Sequence, residues 1–312
     1  MSATAVAVIG YGHMSKNTYC PLLHTLASRI RLAAIVEPDE QKRADAASTY
    51  AFGAAYADVE GMLAEAKPDA ALVLVPAQFH EQVIRPLLDA GVDVYTEKPD
   101  VHHLQPAREL VELARAKGRV YQVGQNRLFM TAVQRAKDHF AETPVDWAHV
   151  EKSKSYRHTD PEYLFDDGLH VVSPLWWLTG GVDEVLSAVH IPDRLLSAHF
   201  RLSSGGAATL TMHVDAGYWV ERFMLHGVER SANVVTPDIA ELYSEGRQVG
   251  DAHVGRNPML FATASLMGFQ AAVSHFLDCV ESRSEPRGSA ASLLAVHELM
   301  NEVFAAAGID TL

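Results

Sequence analysis

The stretch "VYTEKPD", Val94 to Asp100, places a lysine directly after an apolar β-type run and directly before a proline. Proline disfavours helical backbone in the residue before it. Lys98 therefore closes a strand, with its ammonium available for hydrogen bonding rather than for packing. A second chemical pattern lies near the start, in "VAVIGYGHMS", where Gly10 and Gly12 follow an apolar run and precede a helical one. Gly10 permits the tight turn, and Gly12 lets the backbone approach a pyrophosphate favoured by the helix N-terminus. Ser15 takes the third small-residue position, and His13 and Met14 in the same turn are assigned to the cofactor with the glycines. Glu37 ends the run "LAAIV", where a carboxylate accepts hydrogen bonds from ribose hydroxyls and repels a 2′-phosphate. The cofactor expected is NAD, with NADP as the alternative because Lys42 and Arg43 follow closely.

These residues need elements to hold them. From Thr4 to about Gly124, short apolar runs ("AVAVI", "LAAIV", "ALVLV", "DVYT", "RVYQV") alternate with helical stretches such as "ARELVELARAKG", the order of a parallel sheet covered by helices. Their lack of polar alternation implies burial on both faces. After Asn126 the runs become consecutive and alternating, as in "VDWAHVEKSKSY", "LLSAHFRLSSG", "AATLTMHVDAG" and "ERFMLHGVE", which implies antiparallel hairpins. One helix, around "DDGLHVVSPLWWLTGG", interrupts them and stops at Gly180 and Gly181. Two more, near Phe261–Glu281 and Ala290–Ala307, close the chain. The fold class is α/β: an N-terminal dinucleotide-binding domain over 1–125, and a C-terminal α+β domain with a mostly antiparallel open sheet over 126–312.

Composition narrows the function. The 39 acidic residues against 26 Lys and Arg give a formal net charge of -13, which repels nucleic acid and anionic membrane surfaces. No apolar run reaches the ~20 residues of a membrane span, and the start shows no basic region of a signal peptide. Cys20 and Cys279 are expected as reduced thiols. A cytoplasmic protein with a small-molecule substrate follows, with no nucleic acid or membrane partner and no metal.

Four segments in order, "VIGYG", "PAQFHEQVIRPLLDAGVDVYTEKPD", "VGQNRLF" and "DDGLHVVSPLWWLTGG", carry a likeness over nearly the whole chain. The sequence resembles the Gfo/Idh/MocA family of nucleotide-dependent oxidoreductases, and "DDGLHVV" resembles its MviM-like branch. The resemblance implies a Rossmann first domain, a second domain for substrate binding and oligomerisation, and a homodimer or homotetramer formed through the open sheet face. It implies that Lys98, within Glu97-Lys98-Pro99, faces the nicotinamide, often beyond a cis Lys-Pro bond. It also maps a proton-transfer pair onto Asp166 and His170, four apart and so on one helical face. Pro76, His80, Glu97 and Asn126 match cofactor-contacting positions. Ser173 stands three after His170, where a sugar-binding aspartate is frequent. The activity implied is hydride transfer at a secondary alcohol or ketone of a sugar, cyclitol or sugar-like metabolite. The alternatives are an imine or conjugated-acceptor reductase and a non-catalytic nucleotide sensor. The cations Lys152, Lys154 and Arg157, with His158, are read as a solvated sheet face ahead of a pocket-lining role.

Overall fold

The computed structural model describes residues 3–155, 160–253 and 263–312. The chain forms two compact units, Met1–Gly124 with Phe269–Leu294, and Gln125–Gly268 with Ala295–Leu312.

The first unit carries β1 (Thr4–Ile9), α1 (Cys20–Thr25), β2 (Ile30–Val36), α2 (Glu40–Thr49), β3 (Ala54–Tyr56), α3 (Val59–Glu65), β4 (Ala70–Val73), α4 (His80–Asp89), β5 (Asp93–Thr96), α5 (Leu104–Ala116) and β6 (Tyr121–Val123). Its six strands are parallel, in the order β3-β2-β1-β4-β5-β6. This order reverses between β1 and β4, and ligands of such sheets bind beyond the carboxyl ends of the strands at that reversal. All of β4 and β5 and nearly all of β1 are buried, so the apolar runs lack polar alternation.

The second unit carries α6 (Thr131–His139), β7 (Trp147–Ser153), α7 (Pro161–Thr179), β8 (Val182–Ile191), β9 (Leu195–Leu202), β10 (Ala207–His213), β11 (Val220–Gly227), β12 (Arg230–Val235), β13 (Ile239–Ser244), β14 (Arg247–Gln248) and α8 (Thr263–Leu266). Its sheet runs β14-β13-β12-β11-β7-β10-β9-β8. Every pairing is antiparallel except β7 with β10. Alternation along β9 and β10 buries Leu196, Ala198, Phe200, Leu210 and Met212 on one face and turns Ser197, His199 and Thr209 to the other. Asp160 caps α7 by accepting from the Tyr163 amide at 2.9 Å, Pro161 starts it, and Gly180 ends it at φ 85°.

Two helices close the chain, α9 (Phe269–Ser282) and α10 (Ala290–Ala307). Chain order puts both in the second domain of 126–312, whereas α9 and the first turn of α10 belong to the first unit. The reason is aromatic packing that chain order hides. Phe276 meets Tyr95 and Phe269 meets Tyr19, with ring centroids 5.8 and 5.7 Å apart. The buried Gln122 amide also donates to the Ala272 carbonyl at 3.1 Å. The expected helix start at Phe261, together with Arg157 and His158, lies outside the described residues.

Candidate active site

The carboxyl ends of β1, β2 and β4 open into a cavity of about 590 Å³ lined by Gly10, Tyr11, Gly12, Glu37, Lys42 and Pro76, among others. Gly10 adopts φ 93°, and a Cβ there would come within 2.9 Å of Val75 and 3.1 Å of the Leu74 carbonyl oxygen. Only glycine fits this turn without strain. A Cβ on Gly12 would meet nothing within 4 Å, so the open space there belongs to whatever occupies the cavity. The Glu37 carboxylate accepts from the Tyr11 amide at 2.8 Å and the Asp39 amide at 3.1 Å. It thereby fixes both walls of the cavity while each oxygen keeps further acceptor capacity. His13 and Met14 are outside the residues lining this cavity. His13 is exposed and paired with Asn17, whose side-chain amide lies 3.1 Å from Nδ1.

Lys98 is half-buried in the turn after β5, and the Lys98-Pro99 bond is cis. Its backbone amide donates to Glu97 Oε2 at 3.1 Å, and the Tyr19 hydroxyl donates to the other carboxylate oxygen. Tyr19 is fully buried, and burial, with the Glu97 charge beside it, pushes its phenol well above the ordinary range. His80 works from the other side of the same turn. Its Nδ1 lies 2.7 Å from the Pro99 carbonyl oxygen and 3.0 Å from that of Asp100, and its Nε2 lies 2.8 Å from that of Val75. The imidazole, 1% exposed, thus joins the cavity wall next to Pro76 to the Lys98 turn. Burial pushes its pKa down, against the three carbonyls that favour the charged ring. Apart from the Thr96 hydroxyl 3.5 Å from Nδ1, its hydrogen-bonding contacts are with backbone, so the ring ties the two loops together.

In the second unit, Asp166 and His170 occupy successive turns of α7, both half-buried. Residue 174 is a proline, so the His170 carbonyl receives no intrahelical amide from that position. Ser173 is 3% exposed, with a hydroxyl that has no hydrogen-bond partner among the described residues. The amide of Asn126 donates to the Met267 carbonyl at 2.7 Å, and its oxygen accepts from Arg127 at 3.1 Å. Both ends of that side chain are thus committed within the second unit.

Lys152 and Lys154 are not on a solvated face, since each is 4% exposed. They lie on the side of β7 that α7 covers. Lys154 pairs with Asp167 at 2.7 Å, and Lys152 reaches Asp167 at 3.5 Å and also Glu221. Arg127 grips Glu221 through two bonds of 3.0 and 2.7 Å. Burial raises the Glu221 carboxyl, but Arg127 and then Lys152 more than offset this and hold it at about 2. Asp167, the neighbour of Asp166, is the anchor that ties the first turns of α7 to β7. The doubled aspartate in "DDGLH" was its only trace in the sequence.

Among the described residues, no group of three or more His, Cys, Asp or Glu is placed to hold a metal ion. Cys20 and Cys279 are buried free thiols, and no described helix is long and apolar enough to cross a membrane.

Residues 4–125 match the oxidoreductase family with an NAD-binding Rossmann fold, Gfo/Idh/MocA. That match to a family of oxidoreductases is carried by the first unit. Over 291 residues it is 26% identical to YceM of Salmonella typhimurium, which bears the name oxidoreductase, with 92% of each chain covered. Inositol 2-dehydrogenase of Corynebacterium glutamicum is 26% identical over 244 residues, 76% of this chain and 71% of its own. The crystal structure of the MviM dehydrogenase from Clostridium difficile superposes with a TM-score of 0.85 at 22% identity, covering 97% of this chain and 99% of that one, a likeness of fold.

Proposed function

We propose that this oxidoreductase is an NAD-dependent dehydrogenase acting on a secondary alcohol, or the corresponding ketone, of a sugar, cyclitol or sugar-like metabolite. The observation that carries the reading is the cavity at the β1–β4 reversal, where Gly10, Gly12 and Glu37 stand together with their expected geometry. Gly12 leaves room for a pyrophosphate, and Glu37 has acceptor capacity for ribose hydroxyls, so the residues present fit the nucleotide. A bound nicotinamide supplies the site that accepts or returns hydride. Lys98, in the turn braced by Glu97 and His80, hydrogen-bonds the reacting oxygen as its charge changes. His170 takes the hydroxyl proton on oxidation or returns it on reduction, and Asp166 steadies the imidazole and favours its protonated form. The substrate class is supported by inositol 2-dehydrogenase, a relative over most of the chain.

The test is an absorbance screen at the nicotinamide band, with NAD or NADP offered with polyols, sugars and sugar nucleotides, and reduced cofactor with ketones and imines. Turnover of a polyol or sugar, lost by about 10²-fold or more in His170→Ala and Lys98→Ala while nucleotide affinity persists, is the expected result. Nucleotide binding without turnover on any substrate would instead favour a sensor, and turnover of imines alone would reassign the reaction.

A further inference from the structure

Four aromatic rings meet inside the first unit: Tyr19, which ends the helical turn Ser15–Tyr19 after the glycine loop, Tyr95 on β5, and Phe269 and Phe276 on α9. Tyr19 meets Tyr95 edge to face with centroids 5.8 Å apart, and each also packs on one of the phenylalanines. Both tyrosines are 0% exposed. Phenylalanine would fill such a cluster as well, and a buried hydroxyl is unfavourable unless it is hydrogen-bonded. Two hydroxyls in this core therefore need a reason.

The hydroxyls form a chain that ends on one carboxylate. Tyr19 donates to Glu97 Oε1, and the Tyr95 hydroxyl oxygen lies 3.1 Å from that of Tyr19. A phenol has one proton to give. That of Tyr19 is committed to Glu97, so Tyr95 is the donor in the second bond. The far oxygen of the carboxylate accepts from the Lys98 amide at 3.1 Å, and the Glu97 amide donates to the Val73 carbonyl at 3.2 Å. Room for the Tyr95 hydroxyl is made by Gly124, where a Cβ would come within 3.0 Å of it.

Burial, and then the Glu97 charge, push both phenols up. Both therefore stay protonated and remain donors through the neutral range. A bond from a hydroxyl to a carboxylate is among the stronger kinds, and the bond from Tyr95 polarises the Tyr19 hydroxyl further. The carboxylate is thus gripped at both oxygens, by the aromatic core on one side and by the backbone of Lys98 on the other. His80 holds the Pro99 and Asp100 carbonyls of the same turn. The chain from Tyr95 through Tyr19 to Glu97 holds its other end.

We propose that Tyr19, backed by Tyr95, is a positioning residue for the reaction: through Glu97 it holds the backbone from which Lys98 reaches the substrate oxygen. This role rests on the dehydrogenase reading, and one measurement is therefore made without substrate. In the full chain saturated with NAD, exchange of the Lys98 amide is followed by NMR, with the amides of β2 as reference. Tyr19→Phe, which keeps the ring, should speed exchange at Lys98 at least about tenfold with β2 unchanged, the loss typical of one charge-assisted hydrogen bond. On a substrate that the parent turns over, kcat should fall by about tenfold or more, with KM and NAD affinity within about twofold. Tyr95→Phe should move both readouts in the same direction by less, because its hydroxyl reaches Glu97 only through Tyr19. Unchanged exchange at Lys98, an equal rise across β2, or faster exchange at Lys98 with kcat unchanged would overturn the proposal. Turnover of no substrate by the parent, with the Lys98 amide still freed in Tyr19→Phe, would overturn the dehydrogenase reading and leave the brace standing.

Discussion

Asp100 lies two residues beyond Lys98 and is 1% exposed, with one carboxylate oxygen that has no hydrogen-bond partner among the described residues. Burial pushes its pKa up to about 7, only partly opposed by the amides of Val101 and Asp100 and by the charge of His102. The ordinary value in an unfolded chain is about 3.9. A folded pKa above the unfolded one means that the native state keeps the proton longer. Stability from this group is therefore complete below about pH 4 and is lost as pH rises to about 7. At about 1.4 kcal/mol per pH unit, the gap between 3.9 and 7 corresponds to about 4 kcal/mol. Asp100→Asn keeps the shape and removes the titration, but buries amide N–H groups at a cost of about 1–3 kcal/mol. The variant should be less stable than the parent near pH 4 and more stable near pH 8, with the curves crossing between. Urea unfolding of both proteins across that range measures the difference, which should swing by about 4 kcal/mol. A difference independent of pH would refute the reasoning.

Glu221→Gln should destabilise the protein by about 3–5 kcal/mol, because it leaves Arg127 and Lys152 buried beside a neutral amide; thermal melts at neutral pH check this. The parent's contribution from Glu221 is present above the unfolded carboxylate value and is lost as pH falls towards about 2, so the gap between the two proteins should close in acid. Glu37 should make NAD bind more tightly than NADP, and titration of both nucleotides decides it; equal or tighter NADP binding would shift the assignment to Lys42, which lines the same cavity. The outer face of the second sheet carries Trp147, 37% exposed and packed against His149 and His226, with Trp219 48% exposed in the loop before β11. A symmetric dimer or tetramer is the expected means of covering these side chains, and light scattering that shows only monomer would remove that expectation.

The features legible in the sequence are those encoded locally. Gly10 is set by the turn it occupies, and Lys98 is marked by the strand before it and the proline after it. The five buried strand runs of the first unit declare themselves by their unbroken apolar character, whereas β3, with three residues none of which is fully buried, leaves no such signal. What could not be read depends on pairing between distant residues. Arg127 and Glu221 are 94 positions apart and Lys152 and Glu221 are 69 apart, so Lys152 and Lys154, alternating along a strand, carry the pattern of a solvated face. Their burial follows from Asp167 on α7, which supplies the counter-charge they need to leave water.

The turn that holds Lys98 shows the same limit on a smaller scale. The motif Glu97-Lys98-Pro99 supplies the cation, but the fold fixes its backbone through groups outside the motif. Tyr19, on the turn that follows the glycine loop, takes one oxygen of Glu97, while His80, at the start of α4, takes the carbonyls of Pro99 and Asp100. His80 also takes Val75, in the wall of the cavity at the β1–β4 reversal. A change at His80 therefore reaches the Lys98 turn and the cavity together, through the backbone carbonyls that the imidazole holds. The backbone placement of Lys98 is thus a property of the unit, and the same three-residue motif on a strand end without Tyr19 and His80 would place a lysine on a turn that nothing braces.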